Sequence, residues 1–215
     1  MLRRLSTAGE LFLVNLLCFG PFFGLSLWRL LHRQETSVVT DREMLTVVGI
    51  ELVCGVIAAL VLRARGWKWS DFGAERSFVL SLGGMMLFLG TTLLMAMLLG
   101  AYQAVSGIDL TKVTAVEARV SWPVIVLVVL VNPLYEEFFE VAYTLRAGIE
   151  TYGAAFMITV STLIRFVCHL DHGPIAALTI LPLGLVYGLV YWRFRRLWPL
   201  VFAHVASDVL GLMPR

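Results

Sequence analysis

The chain has 215 residues, of which 59% are hydrophobic and 15% are charged, whereas a soluble domain is usually about 45–50% apolar and about 25% charged. The composition therefore excludes an ordinary soluble domain and indicates a membrane protein whose main partner is the lipid bilayer. The formal net charge of +2 comes from short clusters rather than from one basic face, so no nucleic-acid partner is expected. The three cysteines are odd in number and lie in apolar segments, which argues against a disulfide framework.

Seven segments are apolar and long enough to cross a bilayer, which takes about 20 residues of helix. They predict an all-α fold, a polytopic transmembrane bundle of seven spans, or of eight if the third segment breaks near Gly100. The connections are short and no repeat is present, so residues 1–215 are expected to form one membrane domain. The predicted spans are Leu11–Leu31, Met44–Leu62, Phe78–Val105, Trp122–Ile149, Gly153–Leu170, Pro174–Phe194 and Leu197–Met213.

The basic residues fall unevenly on the two sides of this bundle. Arg3, Arg4, the loop RARGWKWSDFGAERS, Arg146 and the run RFRR lie on one side, and fewer Lys and Arg residues lie on the other. Because cytoplasmic loops are enriched in Lys and Arg, the amino-terminus is predicted to be cytoplasmic. No cleavable signal peptide is recognised, so the first span is expected to direct insertion.

Several ionisable residues lie inside the predicted spans, where a charge costs from about 2.5 kcal/mol upward. Such residues are tolerated mainly where they pair, line a cavity or take part in chemistry. Glu51 stands alone in the second span, and a structural role explains it most simply. The other candidates are Asn132, Glu136, Glu137 and Glu140 in the fourth span, Arg165 and His169 in the fifth, Asp171 and His172 in the turn that follows, and His204 and Asp208 in the last.

Helical spacing places these residues on shared faces. Side chains four residues apart lie on the same side of an α-helix, whereas Glu137 is turned about 100° away from Glu136. If the faces point inward, carboxylates and imidazoles converge in one polar pocket. The pairs with this spacing are Asn132–Glu136, Glu136–Glu140, Arg165–His169 and His204–Asp208.

The order of these residues resembles that of a known family, the CPBP intramembrane proteases, also called the CAAX-protease and bacteriocin-processing, or Abi, family. Its motifs are E-E-x-x-x-R, F-x-x-x-H and H-x-x-x-N or H-x-x-x-D. Here EEFFEV supplies Glu136 and Glu137, RFVCH supplies His169, and HVASD supplies His204 and Asp208. The loop GWKWSDFG and the stretch RFRRLWPLVFAH also resemble the family, so the likeness runs from about residue 66 to the carboxy-terminus.

Two positions depart from the family pattern. The motif arginine would fall at Val141, and the phenylalanine of the second motif would fall at Arg165, with Phe166 one position late. One hypothesis connects the two changes: Arg165, from the neighbouring helix, supplies the missing cation and bridges Glu137 or the additional Glu140. The alternative is that the site has degenerated and that the protein no longer cleaves peptides.

The resemblance implies hydrolysis of a peptide bond inside the membrane by a glutamate-activated water. A carboxylate in a low-dielectric pocket suits the general base, and we assign that role to Glu136, with His169 holding the water. His204 and Asp208 match the family positions that stabilise the oxyanion. An ionised aspartate repels an oxyanion, so Asp208 would have to be protonated or would instead orient His204. Glu137 completes the expected catalytic set, and Glu140, Arg165 and Asn132 are expected to support it.

The resemblance implies no cofactor, but a zinc-dependent protease is an open alternative. Two histidines and a carboxylate form a reasonable zinc site with water as a further ligand. The ligands would be His169, His204 and Glu136, with His172 as a possible addition, although no H-E-x-x-H motif is present. A cysteine mechanism through Cys168 is disfavoured, because on a helix it points about 100° away from His169.

Three functional classes follow. The leading one is an intramembrane endopeptidase that acts on a membrane-associated peptide or protein, and the family resemblance leaves CAAX termini, peptide leaders and bacteriocins open as substrates. The second is a non-catalytic relative, an immunity or scaffold protein that binds a partner through the same pocket. A small transporter is the third, but no internal repeat supports it. In each case we expect a multi-pass integral membrane protein of a prokaryotic cell membrane.

Overall fold

The computed structural model describes residues 5–32, 38–107, 117–170 and 173–213. Their helices are α1 (Thr7–Leu31), α2 (Asp41–Arg65), α3 (Phe78–Ser106), α4 (Trp122–Glu136), α5 (Thr144–Tyr152), α6 (Ala154–Cys168), α7 (Pro174–Phe194) and α8 (Trp198–Leu212), with a π-helical segment (Glu137–Tyr143) between α4 and α5 and a 3₁₀ turn (Trp69–Phe72). Two short strands, β1 (Val38–Thr40) and β2 (Glu117–Arg119), pair in parallel. The described residues therefore form the all-α membrane bundle that the sequence predicts.

Local sequence signals set several helix ends. The side chain of Thr40 accepts a hydrogen bond from the backbone N–H of Glu43, and the Glu43 carboxylate accepts one from the Thr40 N–H, which is a capping box at the start of α2. Helix α2 ends at Gly66 in the left-handed conformation (φ 94°), which glycine adopts without steric cost. Gly153 (φ 85°, ψ 157°) separates α5 from α6. This turn lies where the fourth and fifth predicted spans meet.

The lengths of the helices bear on the predicted number of spans. Helix α3 is continuous through Gly100, so the break that would have created an eighth span does not occur in it. Among the described residues, four helices are long and apolar enough to cross a membrane, whereas Ala154–Cys168 and Trp198–Leu212 are apolar but shorter. The π-helical segment joins α4 to α5 in one continuous path. An integral membrane protein follows from these helices, and the total of seven spans stays a prediction.

The bundle has two ends. We call one the basic face, which contains the α2–α3 and α7–α8 loops, and the other the sheet face, which contains strands β1 and β2. At the basic face the Leu197 N–H donates to the Gly73 carbonyl (3.0 Å), and Arg65 pairs with Glu10 at the start of α1. A Cβ atom on Gly73, itself at φ +63°, would lie 1.9 Å from the Arg195 carbonyl oxygen, so the two loops meet backbone to backbone. The α2–α3 and α7–α8 loops therefore contact each other at the basic face.

The sheet face is formed by the opposite helix ends. Strands β1 and β2 pair there with Val39 opposite Ala118. The Ser121 N–H donates to the Asp41 carboxylate (2.7 Å) at the starts of α4 and α2. Leu212, at the end of α8, packs against the apolar cluster that contains Val39. The end of α8 thus lies beside the sheet.

Small residues allow close helix packing near the site. A Cβ atom on Gly84 of α3 would lie 2.7 Å from the Phe202 Cβ of α8, and one on Gly188 of α7 would lie 2.9 Å from the Ile158 side chain of α6. Small residues at such positions are typical of transmembrane interfaces, where backbones approach closely because lipid supplies no hydrophobic driving force. These contacts pack α3 against α8 and α6 against α7.

Candidate active site

The three glutamates that interrupt the fourth apolar segment lie where the helix changes form. Helix α4 passes into the π-helical segment at Glu137, and the Thr144 hydroxyl donates to the Phe139 carbonyl five residues earlier (2.9 Å). A π-helix has more residues per turn than an α-helix, so successive side chains are rotated by less, and π segments are frequent at functional sites. Glu136 and Glu137 still leave the helix in different directions, but both carboxylates reach the same cation.

Arg165 of α6 is that cation. Its Nη2 donates to Glu137 Oε1 at 2.8 Å, its Nε lies 2.6 Å from Glu140 Oε1, and its Nη1 lies 3.6 Å from Glu136 Oε2. The Arg165 side chain is 1% exposed, and its guanidinium carbon lies 5.7 Å from the centre of the Tyr187 ring, within the distance of a cation–π contact. One buried arginine thus holds three carboxylates together.

These contacts bear on the arginine that the family motif places at position 141. Val141 is 0% exposed and belongs to the apolar core. The guanidinium that meets the Glu137 carboxylate comes instead from Arg165 of the neighbouring helix. This is the contact that the hypothesis of a relocated cation requires.

His204 and Asp208 lie on the inner side of α8. His204 Nδ1 is 2.7 Å from Glu137 Oε1, and because a carboxylate accepts hydrogen bonds, Nδ1 carries a proton. On the other side of the ring, Nε2 lies 3.4 Å from Asp208 Oδ1. Glu137 and Asp208 therefore fix the plane of the His204 ring from both sides. In this geometry Asp208 contacts His204, as the orienting role requires.

His169 ends α6 and lies against the same cavity. Its Nδ1 is 2.8 Å from the Arg165 carbonyl, and since a carbonyl accepts, Nδ1 is the donor. In the neutral ring this leaves Nε2 as the acceptor nitrogen. The backbone around it is tied to α1, because the Ser26 hydroxyl donates to the Cys168 carbonyl (2.7 Å).

Glu51, for which the sequence predicts only a structural role, lies at the candidate site. Asn132 Nδ2 lies 2.5 Å from Glu51 Oε1 and 3.1 Å from Glu136 Oε1, so one amide joins two carboxylates from α2 and α4. Glu51 is 2% exposed, and its Oε2 is buried with no hydrogen-bond partner among the described residues. No periodicity within α2 links Glu51 to Asn132, so only tertiary packing reveals this contact.

A cavity of about 700 Å³ connects these groups and reaches the sheet face. The side chains of Glu136, His204 and Asp208 are 17%, 13% and 20% exposed, whereas Glu137 and Glu140 are 0% and 1% exposed. The polar lining consists mainly of Glu51, Asn132, Glu136, His169, His204 and Asp208 inside and Arg29, Thr40, Arg42, Glu43 and Thr46 towards the sheet face. The site thus has an inner buried layer and an outer layer that can meet a substrate.

A second cavity of about 740 Å³ lies beside the first and is mostly apolar. Trp67, Trp69, Phe72 and Phe138 contribute to its walls, which extend to the basic face. Glu51 and Tyr135 line both cavities, and the Tyr135 hydroxyl donates to the Cys18 carbonyl (2.7 Å). Glu51 and Tyr135 are the only described residues that line both cavities.

The zinc alternative concerns His169, His204, Glu136 and His172. Within the ranges that the structure describes, no three His, Cys, Asp or Glu side chains are grouped so that they could hold a metal ion. His172 and Asp171 lie outside the described residues. Cys168 faces the same cavity as His169. Zinc dependence and a glutamate mechanism both stay predictions that a chelator experiment separates.

The comparison with known proteins bears on the same part of the chain. No curated protein and no solved structure matches the chain. Residues 118–210 match a family model described as Rce1-like, type II CAAX prenyl endopeptidase. The matched residues include the positions of all three motifs, from Glu136 to Asp208, and exclude Glu51 of α2. This match supports the assignment of the chain to the CAAX-protease-like, or CPBP, family.

Proposed function

We propose that this protein is an intramembrane endopeptidase that hydrolyses a peptide bond with a water activated by Glu136. The observation that carries the proposal is the two-layer arrangement: Glu136 lies partly open in a cavity of about 700 Å³, while Glu137 and Glu140 lie behind it on a buried arginine. A merely structural ion cluster would not need one of its carboxylates at the wall of a polar cavity.

Glu136 is the general base of this mechanism. Its Oε1 accepts from Asn132, and its Oε2 is buried and makes no hydrogen bond among the described residues. An oxygen of this carboxylate takes a proton from water while the water oxygen attacks the carbonyl carbon of the substrate. The proton then passes to the amide nitrogen, the C–N bond breaks, and a carboxylic acid and an amine are released. General base catalysis of this kind contributes about 10²–10⁴-fold.

The two histidines have different roles. His169 orients the attacking water through Nε2, because its Nδ1 is held by the Arg165 carbonyl. His204 stabilises the oxygen of the tetrahedral intermediate through the hydrogen on Nε2. Asp208, 3.4 Å from that nitrogen, acts as a positioning residue that fixes the ring. With hydrogens on both ring nitrogens the ring is positive, and the Glu137 carboxylate on Nδ1 supports that charge, as a carboxylate does for a catalytic histidine.

Arg165 and Glu140 balance the charge of the inner layer. Without a cation, Glu136 and Glu137 would repel each other as adjacent carboxylates. With Arg165 in contact, Glu137 can hold His204 while Glu136 accepts a proton. Supplying this cation from α6 takes the place of the family arginine at position 141.

The non-catalytic alternative has one observation in its favour. Glu137 and Glu140 are sealed against Arg165 and are 0% and 1% exposed, which also suits a purely structural cluster in an immunity or scaffold protein. Such a protein would still present the cavity to a peptide. It would bind a partner peptide equally well with Glu136 or with Gln at that position.

The test is hydrolysis of a membrane-embedded peptide library by the purified protein in nanodiscs. Glu136→Gln should lower the rate by at least about 10²-fold, and His204→Ala by about 10²–10³-fold. The matched control is Glu150→Gln, because the Glu150 side chain is 81% exposed and lies outside the cavity. Equal peptide binding with no hydrolysis by the wild type would instead favour the scaffold protein.

A chelator distinguishes the two protease mechanisms. Hydrolysis that persists in excess chelator would support the glutamate mechanism. Hydrolysis that stops with chelator and returns with added zinc would transfer the proposal to a metalloprotease.

A further inference from the structure

The two faces of the bundle differ in charge. At the ends of α2, α5 and α7 and in the loops beside them, the basic face carries Arg63, Arg65, Lys68, Arg76, Arg146, Arg193, Arg195 and Arg196. Among the described residues, the sheet face carries Arg29, Arg42 and Arg119. Short loops rich in Lys and Arg stay on the cytoplasmic side of a membrane. By this rule the basic face is expected to be the cytoplasmic one.

The catalytic cavity reaches only the other face. From Glu136 and His204 its lining continues to Thr40, Arg42 and Thr46 beside the sheet, and Arg42 and Thr46 are exposed. No described residue of the basic face contributes to this lining. The cavity therefore opens at the sheet face, on the side opposite to the basic loops.

The cavity on the cytoplasmic side does not provide a second entrance. Trp67, Lys68 and Trp69 line that cavity at the basic face, whereas Glu136 does not line it. Only Glu51 and Tyr135 line both cavities among the described residues. Both side chains are held, Glu51 by Asn132 (2.5 Å) and Tyr135 by the Cys18 carbonyl (2.7 Å). A polypeptide in the cytoplasm would have to break these contacts to reach the catalytic carboxylate.

We propose that the catalytic cavity opens on the extracytoplasmic side of the membrane and that its substrate is a polypeptide segment presented from that side. That the cavity takes a substrate rests on the proposed function. The side of the membrane on which the cavity opens does not depend on catalysis. A segment of a translocated or membrane-anchored protein can enter between α2 and the end of α8. A terminus that stays in the cytoplasm cannot.

Cysteine labelling tests the orientation without any assay of activity. Ser121→Cys places a thiol at the sheet face, and Ser70→Cys places one at the basic face. Both serines are exposed, and neither side chain caps a helix. Thr46→Cys adds a probe at the cavity opening itself. A background in which Cys18, Cys54 and Cys168 are replaced by alanine removes the native thiols, and a thermal unfolding curve checks that this background is folded.

Intact cells are treated with a membrane-impermeant maleimide, and labelling is compared with that of permeabilised cells. Ser121→Cys and Thr46→Cys should label as completely in intact cells as after permeabilisation, while Ser70→Cys should label only after permeabilisation. The reverse pattern would overturn the inference and leave the proposed protease activity untouched. If the expected labelling occurs but the purified protein hydrolyses no peptide, the orientation holds and the proposed function fails.

Discussion

Replacing Arg165 by methionine should destabilise the protein far more than the loss of one surface ion pair. Methionine keeps the unbranched stem of the side chain but removes the guanidinium, so Glu137 and Glu140 remain buried without the cation that lies 2.8 and 2.6 Å from them. Breaking a buried ion pair by removing one partner costs about 3–5 kcal/mol. Arg165→Met should therefore lower the free energy of unfolding by about that amount, with the carboxylates rather than the lost packing as the main cause.

The assay is unfolding of the purified protein in mixed micelles, followed by tryptophan fluorescence as the denaturing detergent increases. Arg146→Met is the matched control, because Arg146 pairs with Glu150 at 3.2 Å while their side chains are 36% and 81% exposed. Exposed pairs contribute about 0–1 kcal/mol, so the control should unfold almost as the wild type does. The double variant Arg165→Met with Glu140→Gln should recover part of the loss, because it removes one of the uncompensated charges.

The measured loss of unfolding free energy in Arg165→Met decides whether the buried carboxylates depend on this arginine. An Arg165→Met variant within about 1 kcal/mol of the wild type would show that the carboxylates do not depend on this arginine. The relocated cation would then be refuted, and Val141 would have to be explained as loss of the motif. Equal losses for Arg165→Met with and without Glu140→Gln would refute the electrostatic account and leave only packing.

Four further outcomes are expected. Glu51→Leu should lower kcat about tenfold with KM unchanged, because Asn132 then loses one carboxylate and positions Glu136 less well; Asn132→Leu combined with it should add little, whereas fully additive losses would contradict a shared contact. Gly84→Leu should destabilise the fold in unfolding assays by about 1–3 kcal/mol, since the added side chain meets α8; unchanged stability would refute close packing there. Glu10→Gln should weaken the attachment of α1, because Glu10 accepts from Arg65 and Trp67, and faster proteolysis of the amino-terminal helix would measure it. Excess chelator should leave peptide hydrolysis unchanged, and a loss that zinc restores would contradict the glutamate mechanism.

The sequence by itself determines that this protein folds in a lipid bilayer, and it also determines most of the helices. In a bilayer the backbone N–H and C=O groups of an apolar segment of about 20 residues find hydrogen-bond partners when the segment forms a helix. The all-α bundle therefore follows from composition and length. The same logic marks Glu136, His169 and His204, because ionisable residues are expensive in such segments. The spacing of four residues then predicts which side chains share a face.

Tertiary structure alone decided how the site is connected. Arg165 of α6 contacts both Glu136 and Glu137, although the two glutamates are adjacent in sequence and the arginine is 28 positions from Glu137. Glu51 enters the site through Asn132 from another helix, a contact between residues 81 positions apart. The face on which the cavity opens likewise depends on which helix ends meet. Local sequence patterns report one element at a time, whereas these features depend on the distance between elements, which packing sets.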